Sequence, residues 1–213
     1  VDVKSLDPDK VYIQITHVTP HFTEEELAKR DTQFEREINL YSFYYETPFT
    51  KSGKSHGTVS SQWMRKTLLK TTHSFPYIVK RIPILETSET ELSPIEVAVE
   101  AIGRKGSDLH TEIHKEKTDL VKLQLLLQGS ITAQVNQGVQ EYANVFLKDL
   151  GPAADRYPQE HIESLKEVYR EFISLCDEAL QLFAQLASKE QSLLVFEMNR
   201  QFFIMKQSLE PIL

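Results

Sequence analysis

Ile162, Leu165, Tyr169, Phe172, Cys176, Ala179, Phe183 and Leu186 recur at steps of three and four residues in strict alternation. This seam constrains the fold more than any other feature of the chain. An apolar side chain about every 3.5 positions lays one continuous stripe along a helix, and the stripe must be buried against other helices. Leu194, Met198, Phe202, Met205, Leu209 and Ile212 repeat the pattern downstream. Upstream, Ser93-Pro94 offers an N-cap serine and a proline at the first helical position. The stripe that follows, Ile95, Val99 and Ile102, is expected to end at Gly103 and Gly106. A further helix carries Leu120, Leu123 and Leu127, reaches Gln128-Gly129-Ser130, and resumes around Gln140 to run to Leu150 before Gly151-Pro152. Four amphipathic helices with short connections predict an antiparallel four-helix bundle over residues 93–213, with one interrupted helix.

Residues 1–92 follow a different periodicity. Val11, Ile13 and Ile15 alternate with Tyr12, Gln14 and Thr16, the period of two expected of a strand with one buried face. Tyr41, Phe43 and Tyr45 alternate with Ser42, Tyr44 and Glu46 in the same way. Lys66–Thr72 predicts a third strand. Tyr77–Leu85 predicts a fourth, pushed towards an edge or a bend by Pro83, which has no amide donor. Thr23-Glu24-Glu25-Glu26 carries an N-cap and an acidic first turn, so a short helix is expected between the first two strands. The fold class is therefore α+β: a small antiparallel β lobe, then the helical bundle.

The formal net charge of −7 argues against nucleic acid and anionic membrane as main partners, since both require clustered lysine and arginine. Cys176 is the single cysteine, so neither an internal disulfide nor a thiolate zinc site can be built. It sits on the helical seam, where a small apolar side chain packs well. No apolar run approaches the roughly 20 residues of a membrane span. There is no N-terminal signal pattern, and because the chain opens at Val1 it is expected to be part of something longer.

Two motifs imitate catalytic ones. Gly53-Lys54-Ser55 resembles the end of a phosphate-binding loop, but Pro48 stands where that loop needs its first glycine, and a solvated turn accounts for it better. His110 and His114 have helical i, i+4 spacing, yet Glu112 lies one place too late for the zinc-protease arrangement. A metal-dependent hydrolase using these histidines would be revealed by bound metal; no metal and no cofactor are expected. No Ser/His/Asp set shows the local logic of a nucleophile elbow.

The segment Gln128-Gly129-Ser130-Ile131-Thr132-Ala133-Gln134-Val135-Asn136-Gln137-Gly138 stands out. Two glycines, β-branched residues and amides are poor helix material, although apolar helical pattern flanks the segment on both sides. It reads either as an inter-helix loop or as a short probe presented to a partner from a rigid scaffold.

These residues resemble a known family. Leu127-Gln128-Gly129-Ser130 followed by Gln134-Val135-Asn136-Gln137-Gly138 is similar to the insert that interrupts a lobe C helix in the second homology region of DOCK-family guanine nucleotide exchange factors. Ser93-Pro94-Ile95-Glu96-Val97-Ala98 resembles the opening of the first lobe C helix of that family. Tyr12-Ile13-Gln14-Ile15-Thr16, Glu46-Thr47-Pro48-Phe49-Thr50 and His73-Ser74-Phe75-Pro76-Tyr77 resemble lobe B stretches. The motifs run in the right order through nearly the whole chain and look most like the zizimin-like branch. Val139 departs from the proline that such relatives typically carry after the insert glycine, and the last helix is only loosely similar.

The resemblance implies a fold and a function. Residues 1–92 would be lobe B and 93–213 lobe C, with a nucleotide-sensor insert at 128–139. Lobe A, which supports dimers in the family, would lie outside the chain, leaving it monomeric unless bound to a GTPase. The expected partner is a Rho-type small GTPase (the cell-division-cycle member, Rac or Rho) in cytoskeletal signalling. The expected location is the cytoplasm, with membrane recruitment by regions outside these residues. Val135 would be the nucleotide sensor, with Gln134 and Asn136 beside it. Gly129, Ser130, Gln137 and Gly138 would shape the insert, Gly129 by allowing the helix to break. Thr47, Pro48, Phe49 and His73 would help to choose the GTPase, in stretches where some aromatics also serve the core. The alternative is a scaffold of the same fold that binds a GTPase without releasing its nucleotide.

Overall fold

A computed structural model describes residues 7–11, 15–54, 57–79, 81–132, 138–148 and 157–213. The chain divides into two compact units, residues 1–47 with 65–91 and residues 48–64 with 92–213.

The first unit carries most of a four-stranded antiparallel sheet in the order β1-β2-β3-β4. The strands are β1 (Thr19–Pro20), β2 (Leu40–Phe49), β3 (Trp63–Phe75) and β4 (Ile84–Leu92). Thr19 pairs with Tyr44 and Pro20 with Phe43. Between β1 and β2 lie two single-turn helices, α1 (Glu24–Leu27) and α2 (Gln33–Glu37). Each opens with a reciprocal capping box, Thr23 with Glu26 and Thr32 with Glu35. Arg30 ties the return to β2 by donating to the carbonyls of Glu35, Ile38 and Asn39.

Two strand expectations need correction. Val11 and residues 15–18 are not in a strand, and residues 12–14 lie outside the described residues. The fourth strand begins at Ile84 rather than Tyr77, because the amide-less Pro83 marks its start. The carbonyl of Pro83 accepts from the Thr72 N–H at 3.1 Å. β4 is exposed along nearly its whole length and so shows no period-two apolar signal. Instead Arg65 reaches Glu91 at 2.9 Å and Glu89 at 3.7 Å, and Lys70 reaches Glu86 at 2.9 Å. Such half-exposed cross-strand pairs contribute only a few tenths of a kcal/mol each, roughly, but they favour this register.

The second unit is built on α3 (Pro94–Ile113), α4 (Leu120–Ile131), α5 (Val139–Ala143), α6 (Gln159–Leu186) and α7 (Ser192–Leu209). A π-helical turn, Asn144–Lys148, extends α5. The 28-residue α6 is the spine, packing on α3, α4 and α7. Its seam residues from Ile162 to Phe183 are buried as the spacing predicts, whereas Leu186, in the last turn, is exposed. Ser93 and Glu96 cap α3 reciprocally, with Pro94 in the first turn. Gly103 and Gly106 do not end α3. The apolar stripe continues through them to Leu109, and burial of Ile95, Ala98, Ile102 and Leu109 against the bundle outweighs the glycine penalty of about 1 kcal/mol each. Both glycines face α6, where an added Cβ would lie 3.8 Å from Val168 and 3.4 Å from Leu175 respectively.

The excursion 48–64 goes with the second unit because Val59 is buried in the same apolar cluster as the helices. Gly53 closes a turn at φ +79° with its N–H on the Thr50 carbonyl at 3.0 Å, the solvated turn expected in place of a phosphate loop. The Thr50 hydroxyl donates to the Lys54 carbonyl at 2.6 Å. Gln62 bridges the excursion, accepting from Gly57 N–H and donating to the Phe49 carbonyl, both at 3.0 Å.

Candidate functional site

The interruption between α4 and α5 is bounded by described residues on both sides. Asp119 caps the start of α4, its carboxylate accepting from the N–H groups of Val121 and Lys122 at 3.0 and 3.1 Å. Leu123, Leu127 and Ile131 bury the face of α4 that packs in the bundle. The helix passes through Gly129 to Ile131, with Thr132 as its C-cap, so the break does not fall at the glycine expected to allow it. Gly138 caps α5 in an extended conformation, φ −78° and ψ 166°, and Val139 follows as the first helical residue.

Side chains from three other helices grip these ends. Lys105 on α3 donates to the Gly129 carbonyl at 2.9 Å. Gln201 on α7 accepts from the Thr132 hydroxyl at 3.2 Å. Tyr169 on α6, fully buried, donates to the Val139 carbonyl at 2.5 Å. Burial raises the Tyr169 phenol far above its ordinary value, so the hydroxyl remains a donor at any working pH. A cleft of about 30 Å³, lined by Ser130, Thr132, Gly138, Glu141 and Met205 among others, separates the two helix ends.

The expected site residues fall into three groups. Gln134, Val135, Asn136 and Gln137 lie outside the described residues. Ser130 and Gly138 are buried and Gly129 is half-buried, so these three belong to the base of the interruption. Thr47 and Pro48 are exposed near the end of β2, while Phe49 is half-buried with its ring 6.3 Å from that of Trp63. His73 is exposed and stacks on Tyr77 at 4.5 Å, and Phe75 and Tyr77 are themselves 49% and 39% exposed. These aromatics near His73 present surface rather than core.

The family whose models match is the second DOCK homology region. A model described as DHR-2, Lobe B matches residues 1–74, and one described as DHR-2, Lobe C matches residues 108–212. The chain belongs to the DOCK family. Across all 213 residues it is 42% identical to Dedicator of cytokinesis protein 9 of Rattus norvegicus, of which it covers 29%. It is 41% identical to the human protein of that name and 41% to human Dedicator of cytokinesis protein 8, covering 10% of each. Dedicator of cytokinesis protein 9 is zizimin-like, the branch to which the motifs point. The chain thus spans between a tenth and a third of the length of these relatives.

The paired histidines do not form a zinc-protease site. The rings of His110 and His114 stack at 4.1 Å, and His114 Nδ1 lies 2.9 Å from the His110 carbonyl. Glu112 is fully buried and committed elsewhere: to Lys115 at 2.7 Å, Lys122 at 3.3 Å and the Asp119 N–H at 3.0 Å. Among the described residues, no group of three or more His, Cys, Asp or Glu is placed to hold a metal ion. No helix among them is long and apolar enough to cross a membrane. Burial pushes the Cys176 thiol up to about 12, which removes it as a nucleophile.

Sequence reasoning missed the anchoring residues of the interruption. Lys105, Tyr169 and Gln201 are 24, 30 and 69 residues from the partners they hold. The one available signal was Tyr169, a hydroxyl on a seam otherwise apolar.

Proposed function

We propose that this chain is the exchange core of a DOCK-type guanine nucleotide exchange factor, with residues 1–92 acting as lobe B and 93–213 as lobe C. It would bind a Rho-family GTPase, displace magnesium and release GDP. The observation that carries this reading is the α4–α5 interruption, held at both ends by the bundle, in a chain that matches DHR-2 lobes B and C.

The mechanism needs no covalent step. Magnesium requires near-octahedral oxygen ligation and supplies counter-charge to nucleotide phosphates. An aliphatic side chain inserted at its site offers no ligand and excludes water, so the nucleotide loses that counter-charge. Val135 is the residue proposed for this role, with Gln134, Asn136 and Gln137 shaping its approach. Ser130 and Gly138, being buried, would act by forming the base of the insert rather than by touching the GTPase. Thr47, Pro48 and His73 offer exposed surface that can contribute to partner choice. By linkage, a protein that binds the empty GTPase more tightly than the loaded one weakens nucleotide binding by the same factor.

The test is release of a fluorescent GDP analogue from Rac, Rho and the cell-division-cycle GTPase, with catalytic amounts of the chain. Accelerated release from at least one is expected, with Val135→Ala folded but close to the spontaneous rate. Binding of nucleotide-free GTPase without acceleration on any of the three would replace this reading with the scaffold. A folded Val135→Ala that exchanges like the unaltered chain would remove the sensor role.

A further inference from the structure

We infer that Tyr169 and Lys105 are positioning residues for nucleotide exchange, fixing the two ends of the α4–α5 interruption from which the sensor acts; this rests on the exchange reading above. The inference starts from a polar atom out of place. Position 169 lies on the α6 seam between Leu165 and Phe172, both buried, and Tyr169 is 0% exposed. A phenylalanine would fill that space equally well. What the tyrosine adds is one hydroxyl, and that hydroxyl donates to the carbonyl of Val139, the first residue after the interruption. A buried phenol without a partner is costly, so the bond is strongly held and fixes where α5 begins.

Lys105 does the equivalent at the other end. The C-terminal end of a helix carries partial negative charge, which favours a cationic donor there. The half-buried Lys105 reaches across from α3 to donate to Gly129 in the final turn of α4. It holds the end of α4 from outside the helix. Gln201 on α7 adds a third, more exposed contact at Thr132. Three helices of the bundle therefore each spend one polar side chain on the same interruption. Residues that merely filled the core would need no polar atoms aimed at these two backbone positions.

Exchange has no reacting group, but a side chain that must enter a specific site is sensitive to its placement in the same sense as enzyme groups, where a displacement of about 1 Å can cost roughly a hundredfold. Releasing one anchor while the others hold should then cost less, about tenfold in the maximal exchange rate. The experiment compares the unaltered chain with Tyr169→Phe, Lys105→Met and Val135→Ala. For each, the active fraction is titrated with nucleotide-free GTPase, and GDP release is then measured at saturating GTPase per titrated molecule. The expected result is an unchanged affinity for nucleotide-free GTPase, with a maximal rate about tenfold lower for Tyr169→Phe and reduced for Lys105→Met. A purely structural role would shrink the titrated fraction and leave the rate per titrated molecule unchanged; that outcome in both variants overturns the proposal. Val135→Ala separates the two layers. If it is slow while Tyr169→Phe and Lys105→Met run at the unaltered rate, only the positioning role falls. If Val135→Ala itself exchanges normally, the sensor reading falls and takes the positioning role with it.

Discussion

Replacing Glu112 by glutamine would remove a single charge from a fully buried carboxylate at the α3–α4 junction. Its oxygens accept from Lys115 at 2.7 Å, Lys122 at 3.3 Å and the Asp119 N–H at 3.0 Å. The two lysine side chains are 40% and 55% exposed, so the loss of their partner returns them to water instead of stranding a buried cation. The penalty therefore stays below the 3–5 kcal/mol or so of a broken buried pair. Glutamine can still accept from Asp119, but the charge-assisted lysine bonds go, and hydrogen bonds to charged groups are worth about 1.5–3 kcal/mol. A net loss near 2 kcal/mol, or roughly 4–8 °C in Tm for a chain of this size, is expected. The pH dependence supplies a second check. Burial alone would push the Glu112 carboxyl up, but the hydrogen bonds from Lys115, the Asp119 N–H and Lys122, with the charge of Lys115, hold it below the ordinary 4.5. A carboxyl depressed by folding contributes stability above its unfolded value and loses it as pH falls through the lower folded value. Glu112→Gln should thus be weaker than the unaltered chain in urea at pH 7 and 5.5, with the gap closing as pH falls below 4.5. Equal urea midpoints at pH 7, or a gap that widens in acid, would refute the account.

Two further substitutions probe the backbone. Gly57→Ala should cost about 1–3 kcal/mol in urea unfolding, because the added methyl would meet Ser61 Oγ at 2.5 Å and Thr50 Cγ2 at 2.7 Å; an unchanged midpoint would show that the turn yields freely. Gly129→Ala should instead raise stability by roughly 0.5–1 kcal/mol, since Gly129 lies within α4 and an added Cβ meets nothing within 4 Å among the described residues; a lower melting temperature would mean that the helix breaks at the glycine after all.

The helical half was legible because its signal is local and repeated. Each turn of α6 restates the same apolar stripe, and a capping box announces α3 within four residues. The glycines misled because propensity is a per-residue preference of about 1 kcal/mol, while packing acts on the whole face. Gly103 and Gly106 interrupt composition but not the stripe from Ile95 to Leu109. β4 was misplaced for the opposite reason. It buries almost nothing, and the ion pairs that align Glu86, Glu89 and Glu91 with Lys70 and Arg65 depend on β3 lying beside it. At the candidate site, the interruption was visible as poor helix material, and its likeness to the DOCK insert pointed to Val135. The anchors were not visible, since their hydrogen bonds join residues far apart in sequence.

The position of Tyr169 has a consequence for how such a chain can vary. Its ring belongs to the seam that stabilises the bundle, and its hydroxyl belongs to the interruption that the proposed function uses. A substitution beside it, at Leu165 or Phe172, changes core volume and also tilts the ring carrying that hydroxyl, so stability and exchange should shift together. Residues on β2 and β3 such as Thr47 and His73 have no such double duty, being exposed and outside the apolar cluster. On the proposed reading, partner choice could then change on that surface at little cost to folding, whereas the proposed sensor would be tied through its anchors to the bundle core. Coupling of this kind is tested by double substitution: Phe172→Leu combined with Tyr169→Phe should be non-additive in exchange rate, because neighbours that share a packing contact do not act independently.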